Sequence, residues 1–285
     1  MIILLAAVCV FLAVMLILGT SSEKYDSTSI ENIKELLNSS GINASDKFFN
    51  LENENSKIYS CEFSPDYPKK VAEIILGEYV EAFSTPNGAE FFLENAFLKI
   101  TEDFELEYKT DGFDPQIIET GTPQDDTDKI IPDFFKPTDD YGIDVVKCTK
   151  DNGVIYAELI QTVGESPIMN HRIKLWLNED GIMALCGKWC FLPIEESFSA
   201  QPLDSVNILF IEKGNFEKEK NENAELQTEL TVKDMKSCLL SRTNLEGSKM
   251  YIIPSWQISW EEAVPDCFYN AVTGEKTTFE SPNVN

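Results

Sequence analysis

The sequence predicts an α+β protein in which an N-terminal transmembrane helix is followed by two lobes of antiparallel sheet with packed helices. Three observations lead to this prediction: an uncharged apolar run at the N-terminus, segments with helical periodicity, and a C-terminal half of alternating runs separated by turn signals. The 285 residues have room for one or two domains with a sizeable core. We expect an anchor over residues 1–22 and lobes over 23–115 and 116–285.

The first element is the run from Ile2 to Gly19, which contains no charged side chain. As a helix it would be about 27 Å long, close to the thickness of a bilayer core. A cleaved signal peptide, the alternative, normally has a shorter apolar region that ends in small residues. We interpret the run as an uncleaved anchor that leaves the large domain outside the cytoplasmic membrane, and its surface would contact lipid or a partner helix. The side chains available for a helix contact are Leu4, Ala6, Ala7, Phe11, Ala13 and Met15.

Three later segments have the pattern of amphipathic helices. Residues 27–42 begin with a capping box of Thr28 and Glu31, and residues 65–83 carry Pro68 near the first turn. Between these helices and the second lobe, residues 111–140 are rich in Pro, Gly, Thr and Asp, which suggests the lobe boundary. A short helix over residues 204–213 is expected to be capped by Asp204 or Ser205 and to end at Gly214, and residues 214–225 are expected to form a solvated loop.

The strands are predicted from alternation and from turn residues. Asn152-Gly153 predicts a tight hairpin, and the polar residues 178–181 predict a second one. The chain closes on two aromatic-rich runs that should form a last hairpin, in which proline fits a strand start or edge. The residues that mark this hairpin are Pro254, Trp256, Asn270 and Gly274.

Composition and side-chain chemistry exclude several functions. The formal net charge of −26 opposes nucleic-acid binding and also contact with anionic lipid. The single histidine, His171, cannot build a multi-histidine metal site, and at a strand start it is interpreted as an ordinary strand residue. Adjacent carboxylates such as Glu195-Glu196 leave a glycosidase formally open, but nothing places them across a substrate. We therefore expect no enzymatic activity, no metal and no cofactor.

The seven cysteines follow no disulfide framework. Cys186 and Cys190 would share one face of a strand about 13 Å apart, which is too far for a disulfide. Buried thiols are the simpler interpretation. The four tryptophans could mark a contact surface, but core positions are the simpler interpretation for them too. They are Trp176, Trp189, Trp256 and Trp260.

The closing hairpin resembles that of PepSY-like domains, and in particular the YycI regulators of Firmicutes. The similarity rests on Ile253-Pro254-Ser255-Trp256-Gln257-Ile258 followed by residues 268–275 (FYNAVTGE). A second matching region is Glu158-Leu159-Ile160-Gln161 leading to Pro167-Ile168-Met169-Asn170. Basic residues usually precede the anchor in this family, and they are absent here.

The resemblance implies a single-pass membrane protein whose soluble part lies outside the cytoplasmic membrane. Members of that family act with a sister protein, YycH, and modulate the cell-wall histidine kinase WalK through the transmembrane helix. The leading hypothesis is therefore a non-enzymatic extracytoplasmic regulator of a sensor histidine kinase. The alternative is a PepSY-like binding or inhibitory module that acts on a secreted hydrolase or a peptide at the cell envelope.

Overall fold

The computed structural model describes residues 25–77, 82–85, 88–113, 122–123, 131–136, 141–222, 229–244 and 249–277. Its α-helices are α1 (Ser27–Asn38), α2 (Tyr67–Leu76) and α3 (Ser205–Glu222), and short 3₁₀ turns lie at Asp46–Phe48 and Asp133–Phe135. The strands of the first half are β1 (Ile42–Asn43), β2 (Lys57–Glu62), β3 (Ala82–Thr85), β4 (Gly88–Phe92), β5 (Ala96–Thr101), β6 (Glu105–Thr110) and β7 (Thr122–Pro123). Those of the second half are β8 (Gly142–Asp151), β9 (Val154–Val163), β10 (Ser166–Asn178), β11 (Gly181–Lys188), β12 (Glu195–Ser199), β13 (Leu230–Thr243), β14 (Lys249–Trp260), β15 (Cys267–Asn270) and β16 (Lys276–Thr277).

The predicted fold class is wrong, because the protein is mostly β-sheet. Strands hold 50% of the described residues and helices 21%. No helix within the described ranges is long and apolar enough to cross a membrane. The run from Ile2 to Gly19, on which the predicted anchor depends, lies outside those ranges.

The chain divides into two compact units that interleave along the sequence. The small unit comprises Met1–Glu52, Asp204–Met235 and Ser259–Pro265, and the large unit comprises Asn53–Leu203, Lys236–Ile258 and Asp266–Asn285. The lobes expected over residues 23–115 and 116–285 stay a prediction.

In the small unit, α1 packs near α3, and β1 pairs in parallel with the start of β13. The predicted helix at residues 27–42 is present, but its cap is Asp26 rather than Thr28. The Asp26 carboxylate accepts a 2.8 Å hydrogen bond from the Ser29 backbone N–H, and this bond holds the pKa of Asp26 below its usual value. Thirteen apolar side chains in the described part of this unit are buried: Ile33, Leu37, Ile42, Phe48, Phe49, Val206, Ile208, Leu209, Phe216, Leu230, Val232, Met235 and Trp260.

Helix α3 is longer than predicted. Asp204 caps it by accepting a 2.9 Å hydrogen bond from the Asn207 backbone N–H, as expected, but the helix continues through Gly214 to Glu222. Phe216, which the sequence analysis placed in a solvated loop, is 1% exposed. Burial of that ring explains why the helix extends past a glycine that favours termination.

The large unit contains the rest of the sheet. Its described strands follow the order β12-β2-β14-β13-β10-β11-β6-β5-β4-β3, and β9, β8 and β7 continue in turn from β10. Both hairpins predicted in the second lobe are confirmed. Asn152 and Gly153, with φ values of 47° and 83°, form the two-residue turn between β8 and β9. Residues 179–180 connect β10 to β11, and the Asn178 side chain accepts hydrogen bonds from the backbone N–H groups of Asp180 and Gly181.

The main apolar cluster of the large unit lies on one face of this sheet, and a small cluster of Tyr156, Trp176 and Ala184 lies on the other face. Helix α2 covers strands β4 and β5, and it contributes Tyr67, Val71 and Ala72 to the main apolar cluster. The predicted helix over residues 65–83 is therefore shorter than expected, because it ends at Leu76 with a left-handed cap at Gly77. The shorter helix lets residues 82–85 form strand β3.

Candidate binding surface and buried histidine network

The residues predicted to mark the closing hairpin lie in β14, in β15 and in the turn that follows. Ser255 pairs with Asn270 and Ile258 pairs with Cys267. Pro254 is buried inside β14 rather than at a strand start. Strand β14 pairs with β2 as far as Ile252 and with β15 from Ser255 onward. Pro254 lies between these two ladders, so its missing N–H interrupts neither of them.

The other three hairpin residues have structural contacts. Trp256 is 1% exposed, and its indole N–H donates a 2.8 Å hydrogen bond to the Leu203 carbonyl. The Asn270 side chain accepts hydrogen bonds from the backbone N–H groups of Val272 and Thr273. The backbone N–H of Gly274, at φ 75°, donates to the Asn270 carbonyl. These contacts close a turn and present no reactive group.

The remaining sequence candidates divide into two groups. All four tryptophans are buried, as expected. The candidate helix-contact residues fall outside the described part of the chain. They are Leu4, Ala6, Ala7, Phe11, Ala13 and Met15.

A buried polar network surrounds the single histidine. It begins at Gln161, whose amide Nε2 donates a 2.8 Å hydrogen bond to the Cys190 carbonyl and whose Oε1 accepts a 3.2 Å bond from the Cys190 N–H. This reciprocal pair is the one that two residues on neighbouring strands would make. The side-chain amide of Gln161 therefore pairs with the backbone of the segment after β11 in the way that a residue of a neighbouring strand would.

His171 connects this amide to strand β13. Its Nδ1 lies 2.7 Å from Gln161 Oε1, and its Nε2 lies 2.8 Å from Ser241 Oγ. Because an amide oxygen only accepts, the hydrogen-bond pattern assigns the proton to Nδ1 and makes Nε2 the acceptor of the Ser241 hydroxyl. Burial, together with the charge of Lys188, lowers the pKa of His171 well below its ordinary value, so the imidazole is neutral.

Asn170 completes the network with a second reciprocal pair. Its Nδ2 donates to the Ser241 carbonyl, and its Oδ1 accepts from the Ser241 N–H, both at 2.9 Å. The ladder between β9 and β10 is irregular between Pro167 and Arg172, where β10 meets β13 at Ile168 instead. The two side-chain amides thus satisfy backbone groups of Cys190 and Ser241 near the place where β10 changes partners, and the imidazole links the side chains of Gln161 and Ser241. His171 and Ser241 are 0% and 4% exposed, so this serine–histidine pair is enclosed within the protein. Its hydrogen bonds hold strands together.

An exposed aromatic patch lies on the other end of the large unit's sheet. Phe83 on β3 and Phe92 on β4 are 58% and 54% exposed. Their ring centroids are 5.6 Å apart, and Phe92 lies 5.1 Å from the ring of Phe97 on β5. We call Phe83, Phe92 and Phe97 the aromatic patch.

Strand register explains why the three rings share one face. Phe83 pairs with Glu90, which is two residues before Phe92, and Phe92 pairs with Phe97. Cross-strand partners and residues two apart point to the same side of a sheet. The opposite side of the same strands carries Phe91 and Leu98, which are buried in the main cluster.

The surroundings of the aromatic patch are charged and lie at a sheet edge. Glu90, Lys99 and Glu107 are cross-strand neighbours on the same face, so charges of alternating sign border the rings. Strand β3 is the last strand in the order of the described sheet. An apolar surface beside a terminal strand offers both side-chain contacts and backbone hydrogen-bonding groups to a peptide.

Neither the histidine network nor the aromatic patch was predicted from the sequence. Phe83 fell at the end of a predicted helix, so its exposure could not be deduced, and Phe92 and Phe97 carried only the alternation of an ordinary strand. Gln161 and Asn170 were noted for the family resemblance, without a partner. The irregular run Pro167–Arg172 gave no local signal, because its backbone partners come from β13.

Comparisons with known proteins give little information about the family or the function of this chain. No protein-family model and no curated protein matches the chain. A crystal structure of an uncharacterized protein from Eubacterium rectale ATCC 33656 is similar, with 13% identity, a TM-score of 0.38, and coverage of 88% of this chain and 99% of that one. A TM-score this low does not establish a shared fold.

The description of the protein as a transmembrane, YycI-like or PepSY-like regulator of a two-component system is corrected by these findings. No described helix can span a membrane, and no family match supports the resemblance. The described part of the chain is mostly β-sheet. The partners implied by the resemblance, a sensor histidine kinase and a YycH-like protein, remain untested predictions, and so does the extracytoplasmic location.

Proposed function

We propose that this protein is a non-enzymatic binding protein that captures an extended segment of a partner protein at strand β3, with the aromatic patch as the side-chain contact. The observation that carries the proposal is the exposure of Phe83 and Phe92, each more than half accessible while in contact with each other. Soluble proteins normally cover such rings, and exposed aromatic groups are enriched at binding surfaces.

The geometry supports an extended partner. A segment that adds to β3 as a further strand would form main-chain hydrogen bonds along its length and place every second side chain over the aromatic patch. Four residues of β3 are available in the described structure, which is enough for a short pairing. A helical partner could contact the rings but would leave the strand edge unused.

Charge indicates the chemistry of the partner. The protein carries a formal net charge of −26, so a second copy would be repelled, whereas a basic segment would be attracted. Lys99 lies between two carboxylates on the bordering face, so local charge there is mixed and the attraction is mainly long-range. The expected ligand is therefore an extended segment that alternates apolar or aromatic residues with lysine or arginine.

A defined peptide tests the proposal. The probe is a fluorescein-labelled nine-residue peptide that alternates lysine and phenylalanine, and anisotropy with the full chain gives the dissociation constant. We expect a Kd of about 10–100 μM, which corresponds to roughly −7 to −5.5 kcal/mol. A peptide with alternate backbone amides N-methylated cannot pair with β3 and should bind at least about tenfold more weakly. A lysine–serine peptide of equal charge measures simple electrostatic attraction.

Phe198 provides a matched control in the protein. It lies on β12, at the opposite end of the described strand order, and is 53% exposed, nearly the same as Phe92. Phe92→Ser should raise the Kd at least about tenfold, and Phe198→Ser should change it less than about twofold. Equal loss in the two variants, or equal binding of the N-methylated peptide, would refute a specific site on β3.

A further inference from the structure

Two buried cysteines lie together in the large unit. The Sγ atoms of Cys61 and Cys190 are 3.3 Å apart, although the residues are separated by 129 positions in the sequence. The side chains are 4% and 0% exposed. The described cysteines all carry free thiols. From the sequence, Cys190 was compared only with Cys186, which is too far away for a disulfide, so Cys61 was not expected as its neighbour.

The surrounding structure holds both backbones in place. Cys61 belongs to β2, where it pairs with Met250 of β14. Cys190 follows β11, and both of its backbone polar groups are bonded to Gln161. A disulfide has an S–S distance of about 2.05 Å, so each sulfur would have to move only about 0.6 Å, a displacement that small χ1 rotations supply.

From this geometry we propose that Cys61 and Cys190 form an intramolecular disulfide that links strand β2 to the segment after β11. The cross-link forms by thiol–disulfide exchange with a small-molecule or protein disulfide. The thiolate of Cys61 attacks that disulfide, a mixed disulfide forms and one thiol of the oxidant is released. The thiolate of Cys190 then attacks Cys61 Sγ and releases the second thiol, so two cysteine thiols are oxidised and one disulfide is reduced.

The reaction belongs to folding rather than to the native state. Burial, and then the contact with Cys61, raise the pKa of Cys190 well above its ordinary value, so the native protein contains almost no thiolate there. An oxidant also has no access to a side chain that is fully buried. Exchange therefore precedes closure of the core, and the finished cross-link resists reduction until the protein opens.

Refolding the full chain tests the cross-link directly. The reduced, denatured protein is refolded in a glutathione redox buffer, free thiols are alkylated in denaturant, and the non-reduced digest is mapped by mass spectrometry. We expect one linked peptide pair, Cys61 with Cys190. With seven cysteines in the chain, the other five should be alkylated. Alkylation of Cys61 and Cys190, or a link from either one to another cysteine, would overturn the proposal.

Thermal unfolding supplies a second measurement. The cross-link closes a loop of about 130 residues, so the Tm of the oxidised protein should lie about 10 °C above that of protein refolded in reductant. Cys61→Ser should abolish this difference. Cys238→Ser, which alters another fully buried thiol, should retain it. If Cys61→Ser fails to fold, the mass map of the unaltered protein still decides the question, and neither result depends on the peptide-binding proposal.

Discussion

The side-chain amide of Gln161 bonds both backbone groups of Cys190, at 2.8 Å and 3.2 Å, as a residue on an adjacent strand would. The same amide oxygen also bonds His171. One side chain therefore satisfies three polar groups in the interior of the large unit. Buried groups of this kind are costly to leave unpaired, so the network should contribute to stability even though it presents no reactive surface.

Replacing Gln161 by leucine should destabilise the protein strongly. The variant keeps a similar volume but leaves the Cys190 N–H, the Cys190 carbonyl and the His171 Nδ1–H without this partner. At about 1 kcal/mol for each lost bond, the free energy of unfolding should fall by roughly 3 kcal/mol. Urea denaturation followed by circular dichroism measures the change.

The exposed Gln201 is the matched control. Gln201→Leu makes the same chemical change at the surface and should alter the free energy of unfolding by less than about 0.5 kcal/mol. Similar losses in the two variants would mean that the buried hydrogen bonds contribute no special stability.

His171 should make the protein less stable as the pH falls below 6.5. Its pKa in the folded protein is well below the ordinary value of 6.5, because burial and Lys188 disfavour the charged form. Below pH 6.5 the unfolded chain therefore binds a proton that the folded protein does not. The stability present above pH 6.5 should decline by up to about 1.4 kcal/mol per pH unit until the folded pKa is reached.

The chain offers an unusually clear test because it has only one histidine. Carboxylates whose pKa values are lowered in the fold, such as Asp26 and Glu262, affect stability mainly below pH 5. The free energy of unfolding should therefore be compared between pH 6.5 and 5.5. His171→Gln should remove the slope in that window, and an unchanged slope would show that another group causes it.

Local sequence signals predicted the local structure well. The Asn152-Gly153 turn, the hairpin at residues 178–181 and the capping residue Asp204 depend on neighbours in the sequence, and all three were found. The predicted end of helix α3 was wrong. A glycine such as Gly214 ends a helix only when no side chain beyond it is stabilised by burial. Phe216 gains from burial, and the helix continues.

Features that depend on distant partners could not be predicted in this way. The proximity of Cys61 to Cys190 and the contacts of Gln161 join residues far apart in the chain. Phe91 and Phe92 point to opposite faces of the sheet, and the sequence does not say which face is covered. The exposure of Phe92 therefore could not be predicted. The fold class was wrong for a related reason, since long strands such as β13 are fixed by their pairing partners.

Gly187→Ala should disrupt the pairing of β11 with β10. Gly187 has φ +134°, and a Cβ atom there would lie 2.1 Å from the Arg172 carbonyl oxygen. Gly181 has nearly the same φ, +130°, but open space around it. Both alanine variants carry the backbone strain, and only Gly187→Ala adds a collision with the main chain.

The two variants therefore separate strain from collision. Gly181→Ala should cost about 1–2 kcal/mol and Gly187→Ala at least about 3 kcal/mol, measured by urea denaturation. Equal losses would mean that the strand backbone shifts to accommodate the methyl group. Loss of soluble Gly187→Ala protein, with Gly181→Ala still folded, would agree with the larger cost.

Gly214→Ala should stabilise the protein. Gly214 lies inside helix α3 on an exposed surface, and a Cβ atom built there meets nothing within 4 Å. Alanine lowers the entropy of the unfolded chain and has the highest helix propensity, so the free energy of unfolding should rise by about 0.5–1 kcal/mol. If residues around Gly214 formed the predicted loop, alanine would instead leave the free energy of unfolding unchanged.

A second substitution, Gly214→Pro, should remove a helical hydrogen bond and cost about 3 kcal/mol. Opposite signs for the two variants in urea denaturation would establish that α3 is continuous through Gly214, whereas no effect of either would show that the helix ends before it.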